Sequence, residues 1–263
     1  MTQDDPRLLE RGTLRIHVDG QPSGDQPFAM RLLGPEHFAA VVGVQEALTA
    51  ALQNPSLYYP NPPELLRLCL GEQGLTIGTF VANRLIGFRS ILYPGAREDN
   101  LGRDIGLSAN DLNLVAHLER TVVLPDYRGN RLQMRMTAHA IRLGIATRDV
   151  RHLFSTVAPA NVASMADKFK IGMLIVRTKE KYQHYTRHLF YQDLRMPLGI
   201  EPNTSRAVDL EDLATQRQLV EVQGWVGHGL SGQGQQIRVL YGQPTRQLNW
   251  RHTQDHPSPA AAR

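Results

Sequence analysis

The chain of 263 residues is 41% hydrophobic and 21% charged, a balance that provides enough apolar side chain for a proper core and excludes wholesale disorder. Its 29 Lys and Arg against 25 Asp and Glu leave a formal charge of +4, spread along the chain rather than gathered in a block, so an anionic small molecule is expected as partner ahead of nucleic acid. The start MTQDDPRLLERG has neither a basic region nor an apolar core, no apolar run reaches bilayer length, and the single cysteine, Cys69 in LLRLCL, reads as a buried small residue, so a cytoplasmic, reducing setting without membrane contact is expected.

Residues 1–27 are polar and rich in Gly, Pro, Asp and Gln, apart from TLRIHV at 13–18, which predicts a short edge strand; little chemistry is expected there. FAMRLL (28–33) predicts a strand, and residues 34–54 a helix with Pro35 in its first turn. After the turn cluster YYPNPP comes a second short helix, PELLRLCLG (63–71). Residues 75–95 have the form of a hairpin across Ala82-Asn83-Arg84. The polar loop 94–112 has the length of a lid or binding segment. Then follow a strand over 113–125, a helix over 128–149, a strand over 152–158, a helix over 161–172, and strands over 173–182 and 185–194. Strands alternating with helices imply an α/β sheet with helices on its faces. Beyond Leu198 a linker, a helix over 209–224 and a strand over 235–243 form an appendage, and the last dozen residues are expected to be disordered.

The strand at 113–125 has one polar face. Strict alternation puts Asn113, Val115, His117, Glu119, Thr121 and Val123 together, opposite Leu114, Ala116, Leu118, Val122 and Leu124, with Arg120 as the exception. Either that face lines a cleft or the strand is an edge with a solvated side. VVLPDYRGNRLQ then joins strand to helix through an Arg-Gly turn, and the amides at the head of such a helix favour an anion, phosphate in particular.

VVLPDYRGNRLQ, followed by STVAPANVASMADKFKIGM, resembles the GNAT superfamily of acyl-CoA N-acyltransferases, and the resemblance runs from about Phe28 to Leu194. It implies an α/β fold with a mixed, mostly antiparallel central sheet and flanking helices, here with a small C-terminal α+β appendage. The division it implies is an N-terminal extension (1–27), an acetyltransferase domain (28–198) and the appendage (199–263). It also implies acetyl-CoA as co-substrate, its pantetheine arm lying between two splayed strands. The implied cofactor contacts are the main chain of Val122 and Val123, the turn of Arg128, Gly129, Asn130, Arg131, Leu132 and Gln133, and Asn161 at the head of the next helix. This chain departs from the family turn, which carries glycine where Arg131 stands and Gly or Ala where Gln133 stands. A side chain at Gln133 is acceptable where the backbone is already helical.

Acyl transfer to an amine needs a neutral amine, a polarised carbonyl and a protonated leaving thiolate. By the resemblance, Glu119 is the base, acting directly or through water, with His117 on its proton path and a backbone N–H near Val123 on the carbonyl. Lys168 stands where the family often has a tyrosine that protonates the thiolate; Tyr182, Tyr185 or water would also serve. The alternatives are that Glu119 pairs with an arginine such as Arg89, and that Lys168 lies on a solvated helix face. Tyr58 and Tyr59 fall where the family covers its acceptor pocket, or else cap a surface turn. His184 and His188 are four apart in a segment that reads as strand, with no carboxylate or cysteine at suitable spacing, so no metal is expected. The expected acceptor is the primary amine of a small molecule or amino acid, attacked directly in a ternary complex. A catalytically degenerate CoA-binding or protein-interaction module, and acylation of a protein or peptide terminus, are the rivals. Residues 199–263 are open to dimerisation, to closing the pocket, or to neither.

Overall fold

The computed structural model describes residues 5–18, 20–51, 60–181 and 185–248. Tyr58, Tyr59, Tyr182 and His184 lie outside the described residues. In chain order the elements are β1 (Leu8–Val18), β2 (Gln21–Leu33), α1 (Phe38–Ala50), α2 (Pro63–Leu70), β3 (Gly74–Val81), β4 (Arg84–Leu92), α3 (Ala109–Leu112), β5 (Val115–Val123), α4 (Leu132–Arg148), β6 (His152–Val157), α5 (Val162–Lys170), β7 (Leu174–Lys181), β8 (Tyr185–Asp193), β9 (Arg206–Asp209), α6 (Leu213–Arg217), β10 (Val226–Ser231) and β11 (Arg238–Gly242). The result is a mixed α/β fold, its strands mostly antiparallel and flanked by helices. Among the described residues no helix is long and apolar enough to cross a membrane.

The chain resolves into two compact units. The first comprises the described residues up to Tyr93, Ala116–Arg151 and Ala160–Asp167. Its strands run in the order β1-β2-β3-β4-β5, each antiparallel to the next. The β3–β4 hairpin turns on Ala82 and Asn83, both at positive φ, the left-handed geometry that matches a twisted hairpin and that asparagine tolerates. Helices α1 and α2 bury Val41, Val44, Leu48, Leu66 and Leu70 against Leu33, Leu85, Phe88, Val122 and Leu124, which defines one covered face of the sheet. Cys69 is fully buried. Phe28 alternates with Leu33 and so points to the other face, where the Arg135 guanidinium lies 4.4 Å from its ring centroid; α4 therefore covers the second face.

The N-terminal hairpin is longer than TLRIHV predicts. β1 pairs with β2 from Leu8 to Val18 although the facing run QPSGDQ is polar. The pairing is held by the backbone ladder and by buried Leu14, and Glu10 accepts hydrogen bonds from Arg135 and His139 of α4.

The second unit comprises Pro94–Val115, His152–Pro159 and the described residues from Lys168 on. Its strand order is β6-β8-β7-β10-β11-β9. Strand β10 joins β7 where Gly227 faces Ile175; a Cβ at Gly227 would lie 2.9 Å from the Ile175 Cβ, so the close approach requires glycine. The loop 94–112, whose length is that of a lid or binding segment, contributes to this unit's core. Leu101 and Ile105 are buried with Phe154, Val176 and Leu189. Asn100 ties the loop down, its side-chain NH2 donating to the carbonyls of Gly95 (2.7 Å) and Leu112 (3.1 Å) while its Oδ1 accepts from the Gly102 amide. The helix expected over 209–224 is a short α6 followed by a π-helical turn, Gln218–Val222, and β10 occupies part of the Gly-rich segment read as a connection.

Candidate active site

A β-bulge changes which residues of β5 share a face. Arg89 of β4 faces Thr121 and Ile91 faces Leu118, so Glu119 and Arg120 together stand opposite the single residue Ser90. The strict alternation expected for this strand therefore breaks between Leu118 and Thr121. His117 pairs with Leu92 and Val122 with Phe88, which puts both toward α1 and α2. The bulged pair follows them. Glu119 Oε1 lies 3.5 Å from His117 Nδ1, and Arg120 Nε donates to Asn61 Oδ1 at 2.9 Å. Thr121 turns the other way, and its hydroxyl accepts from Arg89 Nη1.

Asn61 is held in turn by α1. Gln45 Oε1 accepts from the Asn61 amide at 2.9 Å, and Gln45 Nε2 donates to the Asn61 carbonyl at 3.0 Å. Gln45, Asn61 and His117 are all buried, and Glu119 keeps 18% side-chain exposure, enough for a carboxylate that meets solvent or substrate from one side. Among the described residues His117 is the ion-pair contact of Glu119 within 4 Å, and the charge of Glu119 also acts on Arg89.

Arg89 is the nearby residue that sequence reasoning passes over except as a pairing partner. It is 1% exposed, and burial pulls its guanidinium down to about 10, opposed by the charges of Asp167 and Glu119. Its Nε and Nη2 have no hydrogen-bond partner among the described residues. The signal for it was a lone charge within the apolar run LIGFRSIL.

The turn after β5 begins with a 3-10 segment, Pro125–Tyr127, and passes through Gly129 at φ 82° and Arg131 at φ 55° before α4 starts at Leu132. Arg131 thus keeps the left-handed backbone that glycine would adopt without strain. Gln133 is within the helix, where a side chain is ordinary. Among the described residues no acceptor pairs with the backbone N–H groups of Leu132, Gln133 and Met134, and Arg128 and Arg131 are exposed beside them. Asn130 is engaged: its NH2 donates to the Tyr127 carbonyl (3.0 Å) and, across to β1, to that of Arg15 (2.6 Å), while its Oδ1 accepts from the Arg15 amide (2.8 Å).

Main-chain pairing of Val122 and Val123 with Phe88 and Gly87 fixes the end of β5. In the first unit, Asn161 spends its Oδ1 on the Ser164 amide at 3.1 Å, capping the start of α5. Lys168, in the second unit, is buried and not on a solvated face. His188 is also buried there, its Nδ1 2.9 Å from the Thr178 hydroxyl, and burial pulls its imidazole down to about 4. Among the described residues no group of three or more His, Cys, Asp or Glu is placed to hold a metal ion.

No protein-family model and no curated protein matches the chain. Solved structures do. Arabidopsis thaliana NAA60 in complex with acetyl-CoA is 13% identical, matched over 64% of this chain and 99% of its own, with a TM-score of 0.51. An acetyltransferase of the GNAT family from Streptococcus pneumoniae is 18% identical over 63% of this chain and 98% of its own, with a TM-score of 0.49. A ribosomal-protein-S5-alanine acetyltransferase from Vibrio fischeri is 13% identical over 63% of this chain and 92% of its own, with a TM-score of 0.48. With its antiparallel strands, flanking helices and open strand-to-helix turn, the chain has the fold of the GNAT acetyltransferases.

Proposed function

We propose that this protein is an acyl-CoA-dependent N-acyltransferase that moves an acetyl group from acetyl-CoA to a primary amine of a small molecule or amino acid. The observation that carries this reading is the bulge in β5, which turns Glu119 beside buried His117 a few residues before a turn whose amides are open. The turn suits a pyrophosphate. Gly129 and Arg131 curve the backbone, the first amides of α4 face outward, and Arg128 and Arg131 add positive charge.

In this reading Glu119 removes the proton that leaves the attacking amine, directly or through one water, and His117 holds the carboxylate and extends the proton path. The amine nitrogen bonds to the acetyl carbon as the carbon–sulfur bond breaks, and water returns a proton to the thiolate. The backbone at Val123 is the assigned donor to the carbonyl oxygen. Calorimetric titration with acetyl-CoA, followed by release of free thiol across a panel of amines and amino acids, tests the proposal. Binding with thiol release supports it, and no binding at millimolar acetyl-CoA rejects it. The replacement of the turn glycine by Arg131 favours a second reading, a binding module that has lost its chemistry. Binding without thiol release from any amine would select that reading.

A further inference from the structure

Strand β1 forms a wall of an open cavity of about 430 Å³ whose opposite side is the turn after β5. Thr13, Arg15, His17 and Asp25 line it from the hairpin, and Gly129 and Asn130 from the turn. The volume is within the range of small-ligand sites. Residues 13, 15 and 17 alternate with buried Leu14 and so present a hydroxyl, a guanidinium and an imidazole on one face of the strand. The wall is fixed to the turn. Asn130 holds both main-chain groups of Arg15, and Glu10 binds Arg135 and His139 in the first two turns of α4. The His17 ring stands over Gly129, its Cε1 3.9 Å from where a Cβ would be.

The lining matches one class of ligand. Arg15 and His17 are donors for a phosphate monoester, and the exposed Arg128 and Arg131 of the same turn add to the positive field. The carboxylate of Asp25, 3.8 Å from Arg15 Nε, is the one acidic group in the lining. It opposes a bare anion but accepts from an exocyclic amine, so the combination favours a phosphorylated adenosine over phosphate alone.

Resting on the acetyl-CoA reading given above, we propose that the N-terminal hairpin supplies a subsite for the 3′-phosphorylated adenosine end of the donor, with Arg15 and His17 on the phosphate and Asp25 on the base. The hairpin then sets donor choice, selecting a nucleotide-bearing thioester over a carrier that lacks the 3′-phosphate.

Steady-state kinetics with acetyl-CoA and 3′-dephospho-acetyl-CoA, on the full chain and on an Arg15→Ala/His17→Ala variant, test this together with calorimetry of adenosine 3′,5′-bisphosphate against adenosine 5′-phosphate. For the unaltered chain the KM of the dephospho donor should be about tenfold higher, and the bisphosphate should bind about tenfold tighter than the monophosphate, the size of a charge-assisted contact. In the variant both ratios should fall to about one. Both substitutions spare the main-chain bonds of Arg15 to Asn130, and a thermal melt checks that the variant folds. If it does not, Arg15→Gln and His17→Gln singly must each lower the two ratios. Equal KM values in the unaltered chain, equal nucleotide affinities, or ratios that persist in the variants overturn the subsite. If neither thioester is turned over, the acetyltransferase reading fails, while the nucleotide preference still decides the subsite.

Discussion

Glu119 takes its position from a backbone irregularity. It shares the bulge with Arg120, whose side chain is anchored through Asn61 to Gln45 of α1, while the carboxylate itself meets His117. Removing its charge while keeping its shape isolates its role as base. Glu119→Gln should lower turnover by about 100-fold or more with little change in acetyl-CoA affinity, measured by steady-state kinetics beside calorimetry. Arg131 is a second case of backbone deciding side chain. At φ 55° it bears the left-handed strain that glycine would avoid. Arg131→Gly should therefore raise stability by about 0.5–1 kcal/mol in urea unfolding, net of the extra freedom glycine brings to the unfolded chain. The residue types on β5 were legible in the sequence, as was the turn. Their facing was not, since period-2 reading assumes an unbroken ladder and HLERTV contains no glycine to mark the extra residue.

Elements with β-branched and aromatic runs were readable as strands, and β3, β4, β6, β7 and β8 lie close to where the sequence puts them. The first part of β2 and all of β10 were not, because QPSGDQ and VGHGLS carry polar and glycine residues whose strand state depends on partners distant in sequence. Strand β8 also sets a pH limit. His188 is buried beside Thr178, and the charge of Arg217 adds to burial in keeping the imidazole neutral. Its folded value of about 4 is below the ordinary 6.5, so the folded protein resists a proton that the unfolded chain accepts. The contribution of His188 is then fully present above about pH 6.5 and is lost as pH drops from 6.5 toward 4, by roughly 3 kcal/mol. Urea midpoints from pH 7.5 to 4.5 should show this decline, and His188→Gln should flatten it. An equal slope in the variant would assign the decline to other groups.

For the molecule as a whole, the small positive excess points toward an anionic small molecule, and the open turn with exposed Arg128 and Arg131 is the place proposed to hold it. If acetyl-CoA binds only the folded chain, mass action predicts a gain of about 2.7 kcal/mol at a hundred times Kd. The thermal midpoint should rise by roughly 5–10 °C in a protein of this size. A midpoint unmoved by millimolar acetyl-CoA would count against binding at that turn. The central fold was legible because the motif and the order of elements agreed. The part played by residues 8–18 was hidden, since the bonds that matter, from Glu10 to Arg135 and His139 and from Arg15 to Asn130, join segments more than a hundred positions apart and leave no local pattern.

The same separation bears on how the protein is made. β1 leaves the ribosome well before the asparagine that holds it, which is 115 residues further along. The hairpin must wait for the turn and the first half of α4 before it can dock, and closing so long a loop is slow. During synthesis the open edge of β1 is exposed to pairing with the wrong chain, and its charged Arg11 and Arg15 are the kind of side chains that discourage such pairing.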